Sequence, residues 1–585
     1  MMPIGSRNST LVRSPVKTIG FLVDWLDGVY QNELLNGVRD AARERRVQLL
    51  CISGGILQSA ARGGPHRNAA FEFAKAENVD GLILVSGTIG NQIGPGELLA
   101  YASRFGALPR VSIAVNLPGT ASVVIDNRTG IESAITHLIR VHACQRIAFV
   151  RGPEQNPEAE LRYQMYRSVL RQNALVVDEQ LIVSGDFLLE SGRRAVTELY
   201  EHRGLRPEAI VTANDHMAIG VLEELAARKI AVPGDVAVVG FDDVEEARFT
   251  SPPLTTVRQP LYEQGREAVR LLLNQLYGSA SDERTVLHTE LIARRSCRCF
   301  GDQLGISLPA PARRASFEAA LVERRQILLA NLARAGRGAF GILGSGWEAR
   351  LISAFTTDLR EGSQVAFATA IEEGLLKLLE QKADFNLFHD VLSTLRRHLL
   401  ACLEADPERR ARAEDIFQNA RTLVGQASER AQAQQKILTL RWANALAGTG
   451  TALLSCVEVG QLQRAVAEHF PKLGVRSCFV SLYAEHPSAP NQLAVSYTSA
   501  SEFPAYKAAA ARRSDLPRWL LDNGVADGFY FSTLFSEERV LALVLLDLGT
   551  REGIVYEALR EFLNAAVKNI SLHARSRKTD APPPL

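Results

Sequence analysis

The feature that most constrains this chain is an alternation. Over the first 300 residues, short β-branched runs take turns with stretches of helical spacing. The runs are TIGFLVD (18–24), VQLLCIS (47–53), GLILVS (81–86), RVSIAV (110–115), SVVID (122–126), RIAFVRG (146–152), EAIVTAND (208–215) and DVAVVGFDD (235–243). Between them, segments such as QNELLNGVRDAARERR place apolar residues three and four apart. Strands that are apolar on both faces and separated by helices form parallel sheets covered on both sides, so the predicted class is α/β. Two such sheets joined by a hinge leave a cleft at the carboxyl ends of their strands.

Polar residues stand at those strand ends: Asp24 with Trp25, Asp126-Asn127, Asn214-Asp215 and Asp242-Asp243. Carboxylates and amides hydrogen-bond hydroxyls, and an aromatic ring packs on the apolar face of a sugar. An acid at a strand end can equally cap the following helix. Four such ends in one fold favour a cleft for a small polyhydroxylated or otherwise polar ligand.

Three longer stretches carry a resemblance: VVIDNRTGIESAITHLI, IVTANDHMAIGVLEELAARKIAVPGDVAVVGFDDVEEARFTSPPLTTVRQP and ELIARRS. They resemble the sensor core of the LacI/GalR family, which shares its fold with type I periplasmic binding proteins. The resemblance covers 17–300 and implies two lobes, 17–116 plus 260–300, and 117–259. It implies an effector pocket of Asp126, Arg162, Asn214 and Asp242, with Gln259 near the hinge. Arg162 would fork onto ring oxygens or a carboxylate, and Asp242 would accept from hydroxyls or an amine. Three positions depart from the family pattern. Met165 replaces a usual glycine, VHACQR (141–146) replaces a Gly-His, and Pro260-Leu261 stands where an aromatic often follows. They surround the pocket, and the effector class stays open between sugar-like and nucleoside-like.

In that family a DNA-reading head precedes the sensor. Residues 1–16 hold only Arg7 and Arg13 as cations near the start, besides lacking the length for a helix-turn-helix, and are expected to be disordered. Lys plus Arg is 66 against 65 for Asp plus Glu, so no general basic excess points to nucleic acid. Direct DNA binding is therefore not expected. The alternative is a LacI-family DNA-binding regulator whose head is missing from this chain or supplied by a partner.

Beyond the sensor, 301–316 reads as a linker, with LGISLPAPARRAS at 304–316. Amphipathic segments predict a helical bundle over 317–405 and a long connector helix over 406–446, whose thin alanine-rich stripe suits pairing in a homodimer, the favoured reading, or lying on the preceding bundle. Over 447–575 the order helix, two strands, loop, two strands, helix resembles a GAF-type domain, and 576–585 reads as a disordered tail. In relatives of this layout the last helix runs into a histidine kinase or a cyclase, so a kinase, cyclase or transcription partner is expected. GGILQSAARGG lacks the Gly-Lys-Ser/Thr of a phosphate loop, and His389-Asp390 lacks the proline that follows a phosphoacceptor histidine. No catalytic set stands out, so the expectation is a non-enzyme with no cofactor.

The seven scattered cysteines suit a reducing compartment, and no apolar run reaches the ~20 residues of a membrane span. A cytoplasmic location with no membrane association is expected. Cys297-Arg-Cys299 is the one close pair; with no second CxC, CxxC or HxxxH to complete a metal site, these read as ordinary thiols.

Overall fold

The computed structural model describes residues 16–59, 63–279, 283–299, 316–336, 340–380, 386–404, 406–483, 492–499, 516–536 and 539–579. The expected N-terminal segment and linker fall, but for Val16 and Ser316, outside them. The chain divides into two compact units, 1–299 with 444–585, and 300–443.

In the first unit all eight predicted runs are strands: β1 (Thr18–Val23), β2 (Gln48–Ser53), β3 (Gly81–Leu84), β4 (Arg110–Ile113), β5 (Ala121–Ile125), β6 (Ile147–Val150), β8 (Ala209–Thr212) and β9 (Ala237–Val239), with a short β7 (Ile182–Val183) between. Periodicity did not announce β7, nor β10 (Thr256–Arg258), β11 (Arg284–Leu287) and β12 (Glu290–Ile292). β6 to β9 form a parallel sheet in the order β7-β6-β8-β9. Its core packs Phe149, Tyr166, Leu170, Val211, Met217 and Phe241.

The lobe boundary needs correction. β5 pairs in parallel with β4, and β11 with β5, so 117–125 belongs to the first lobe. The last segment returns to the second lobe: β12 pairs with β10, and Cys297 lies in the second lobe's core. Three stretches, 125–127, 258–261 and 287–290, therefore cross between lobes. The helix Val29–Glu44 packs on the helix Leu261–Leu276 through glycines, since a Cβ on Gly37 would sit 2.0 Å from the Tyr262 carbonyl oxygen.

The C-terminal module joins the same unit. β13 (Ser477–Leu482), β14 (Gln492–Thr498), β15 (Gly528–Phe535) and β16 (Val540–Asp547) are antiparallel, between the helices Val459–His469 and Gly553–Thr579. β15 pairs in parallel with β2, Gly528 opposite Leu49 through Phe531 opposite Ile52. The result is one ten-stranded sheet, β11-β5-β4-β3-β1-β2-β15-β16-β13-β14. β2 would otherwise expose an unpaired edge, and β15 covers it. Leu50, Ile52 and Phe71 of the first lobe share a core with Phe529, Phe531, Leu520 and Leu545.

A buried ion pair marks this seam. Arg67 Nη2 lies 2.5 Å from Glu557 Oε2, with side chains 1% and 5% exposed. Glu557 also accepts from the Leu26 N–H, the Ser53 hydroxyl and the Tyr530 hydroxyl. Burial alone would raise the Glu557 carboxyl, but Arg67 and Arg560 outweigh it and hold it below its ordinary value.

The second unit is helical: Phe317–Ala335, Phe340–Leu343, Trp347–Glu361, Val365–Glu380, Asn386–Ala401 and the start of Pro407–Leu454. Phe355 stacks on Phe417 at 4.9 Å, and Leu328, Ile371 and Leu392 fill the core around them. The long helix runs to Leu454, eight residues past the predicted end at 446, because Asn-Ala-Leu-Ala-Gly-Thr-Gly contains no proline to stop it. The last helix extends through Thr579, so the start of the expected tail is helical.

Candidate functional site

Buried polar side chains collect where the two lobes meet, beyond the carboxyl ends of β1 and of β6, β8 and β9. Arg162, 3% exposed, stands on the helix Pro157–Gln172, which Asn156 caps by accepting from the Glu158 and Ala159 N–H groups. Its Nε donates to Asn127 Oδ1 at 2.7 Å and its Nη1 to the Ala213 carbonyl at 2.7 Å. The guanidinium lies 3.9 Å from the Phe241 ring centroid, 3.7 Å from Glu158 Oε1 and 3.9 Å from Asp242 Oδ1. Asp242 sits in an uncommon positive-φ conformation (φ 127°) and accepts from Gln259 Nε2 at 2.5 Å.

The first lobe contributes Asp24, which accepts from Gln31 Nε2 at 3.1 and 3.2 Å and from the Trp25 N–H. It also contributes Tyr30, whose surroundings include Glu158, Asp242, Arg162 and Asp24. Across the gap, Asn156 Nδ2 of the second lobe donates to the Gly87 carbonyl at 3.0 Å and to Asn91 Oδ1 at 2.7 Å.

Two buried acids, Glu158 and Asp242, face the Arg162 guanidinium, and Asp24 and Asp215 are buried nearby. Burial pushes the Asp24 carboxyl up to about 6 and Asp215 up to about 7. Burial also raises Asp242 well above the carboxylate range, Arg162 pulling against it and Asp215 adding to it. Glu158 is raised by burial and only partly held by Arg162 and Asn127. Asp215 is engaged within its own lobe, accepting from the Thr256 hydroxyl and the Val244 N–H. Such a set repels an anion and offers acceptors, and proton-bearing carboxyls, to hydroxyl or amine groups.

Among the residues singled out in the sequence, the structure brings together Asp24, Arg162, Asp242 and Gln259. Asn214 adjoins them by its backbone neighbour Ala213, but its side chain caps its own helix and donates to the Phe187 carbonyl. Asp126 is a helix cap: it accepts from the Thr129 N–H and hydroxyl, which outweigh burial and hold its carboxyl below the ordinary value. Its neighbour Asn127 occupies the buried network instead. Trp25 is partly buried and follows Asp24 at the end of β1. Tyr30, Asn156 and Glu158 are not among the residues the sequence points to, and Asn127 is named there only as a strand end beside Asp126. The Asn of the VVIDN stretch was the legible signal for Asn127, whereas Glu158 carries none.

The close pair Cys297-Arg-Cys299 has two histidine neighbours. Cys297 and Cys299 are not isolated thiols, because His137 and His142, on a helix that ends some 155 residues earlier in the chain, meet them with all four ligand atoms within 4.8 Å of one another.

Two α/β lobes joined by three crossing stretches, with buried polar side chains where they meet, are the architecture of a periplasmic-binding-protein-like domain. A family model for a periplasmic binding protein-like domain matches residues 135–297. The ribose operon repressor of Escherichia coli K12 is 32% identical over 282 residues, 48% of this chain and 81% of the repressor. The HTH-type transcriptional repressor CytR of the same strain is 38% identical over 180 residues, 31% of this chain and 52% of CytR. A solved cellobiose complex of the transcriptional regulator CelR is 30% identical, covering 48% of this chain and 86% of its own, with a TM-score of 0.42. Through its first half the chain belongs to the LacI family of periplasmic-binding-protein-like regulators.

Proposed function

We propose that this chain is a non-enzymatic regulator that binds a sugar-like or other polar effector between its two lobes. The observation that carries the reading is the set Arg162, Asp242, Gln259 and Asp24, all at most 6% exposed and drawn from both lobes. Buried polar groups on this scale are costly unless they serve recognition or specificity. The names of the relatives, a ribose operon repressor and a cellobiose complex, supply the first candidates.

The effector's preference for the closed lobes supplies the signal, commonly ~1–3 kcal/mol of coupling. The C-terminal module, read as GAF-like, receives it. The support for a direct route is local. Ser53 Oγ lies within hydrogen-bond distance of both the Asp24 carbonyl (3.1 Å) and Glu557 Oε1 (2.8 Å), and Leu26 donates to the same carboxylate. The loop that carries Asp24 thus rests on the first turn of the closing helix Gly553–Thr579. The output is transcriptional regulation by a homodimer.

Calorimetry with ribose, cellobiose and a nucleoside panel tests the pocket. At least one should bind the native chain, and Asp242→Ala should weaken it by about tenfold or more, the loss of one strong hydrogen bond. Equal binding by both proteins removes the pocket assignment.

A further inference from the structure

Outside the cleft, four soft or borderline donors converge. His142 is the last residue of the helix Asn127–His142, and His137 lies one and a half turns before it. Cys297 ends the short turn Arg295–Cys297, and Cys299 follows two residues later. His142 Nε2 is 3.2 Å from His137 Nε2. Cys299 Sγ is 3.3 Å from each of those nitrogens, and Cys297 Sγ is 3.5 Å from His137 Nε2.

We propose that His137, His142, Cys297 and Cys299 form a closed, tetrahedral Cys2His2 zinc site. Four of the six donor pairs, at 3.2–3.5 Å, are spaced much as in a ligand shell, and all six lie within 4.8 Å. Zn–N bonds of about 2.0–2.1 Å and Zn–S bonds of about 2.3 Å in a tetrahedron put neighbouring ligand atoms roughly 3.3–3.8 Å apart. Both histidines turn the same ring nitrogen, Nε2, toward the centre. The 3.2 Å between them fits one hydrogen bond when one ring is the Nε2–H tautomer, and it fits a shared cation when both rings carry their proton on Nδ1. Thiolate and imidazole together select zinc over magnesium or calcium, which demand oxygen ligands.

The surroundings fit. Thr255 Oγ1 stands 3.1 Å from Cys297 Sγ, placed to donate to the sulfur, as outer-shell groups do around metal-bound thiolates. Cys297 is buried, whereas His137, His142 and Cys299 are partly exposed, which leaves a path for the ion from solvent. The site is structural, because four protein ligands leave no open position for substrate. Its effect is to clamp the end of the sensor core, which leaves through Arg298 in a left-handed turn (φ 76°), onto the final turn of a second-lobe helix.

The test uses the full chain, freed of metal by chelation under reductant and then given zinc chloride. The native chain should retain one zinc per chain after gel filtration, and zinc should slow alkylation of Cys299. With cobalt(II) it should show thiolate-to-metal charge transfer and the intense visible bands of four-coordinate cobalt. Cys297→Ser with Cys299→Ser should lose the metal, while Cys402→Ser, in the helical unit, should keep it. Failure of the native chain to bind zinc at micromolar free ion overturns the site. So does undiminished binding by the double variant, or a cobalt spectrum without thiolate bands.

Discussion

The seam between the first lobe and the C-terminal module predicts a large effect for Glu557→Ala. The carboxylate accepts from five groups: the Leu26 N–H, Ser53, Arg67, Tyr530 and Arg560. Removing it leaves Arg67 charged and fully buried, with its Nε and Nη1 already lacking partners among the described residues. Breaking a buried pair by deleting one partner costs about 3–5 kcal/mol. That is roughly a two- to four-decade change in the unfolding constant of the first unit. Urea unfolding followed by circular dichroism reads it. The double variant Arg67→Met with Glu557→Leu should regain part of the loss, because Arg67 no longer leaves a buried unpaired charge, while the Leu26 N–H and the Tyr530 hydroxyl still lose their acceptor. A midpoint for Glu557→Ala within about 0.5 kcal/mol of native, the range of an ordinary surface change, would refute the seam as a packed junction. The pH sign follows from the depressed carboxyl. Its stabilisation is present above the ordinary glutamate pKa and is lost as pH falls through its lower folded value.

Asp24 titrates in the opposite sense. A carboxyl pushed up from 3.8 to about 6 stabilises the folded state most below pH 4 and costs about 3 kcal/mol by pH 7. Asp24→Asn should flatten the decline in urea midpoint between pH 4 and pH 7; an unchanged slope contradicts its burial. Asp126→Ala should cost about 1 kcal/mol as a lost helix cap and leave effector affinity unchanged, whereas Asn127→Ala should weaken it, as calorimetry can show. Gly553→Ala places a Cβ 2.1 Å from the Leu26 carbonyl oxygen, so thermal denaturation should report a loss of about 1–3 kcal/mol, with effector affinity shifting too; unchanged affinity would separate the cleft loop from the closing helix.

How much of this was legible follows from the range of each signal. Eight strands showed in the sequence because apolar runs and helical spacing are local. The lobe boundary did not: whether Ala121–Ile125 pairs with Arg110–Ile113 or starts the second sheet depends on register, not composition. Nothing local says that Gly528–Phe535 will pair with Gln48–Ser53. In the cleft, charged strand ends were legible, but Asp126 and Asn127 sit side by side, and only the backbone turn decides which caps and which faces Arg162. His137 and His142 escaped notice because a spacing of five on a helix matches no familiar metal pattern until the Cys-Arg-Cys segment folds against it.

Hydrogen exchange with and without a bound effector tests the central claim most directly. If the effector sits between the lobes, amides in 24–36 of the first lobe and in 156–162 and 241–259 of the second should slow together. Protection confined to one lobe, or absent from both, would contradict an interlobe site.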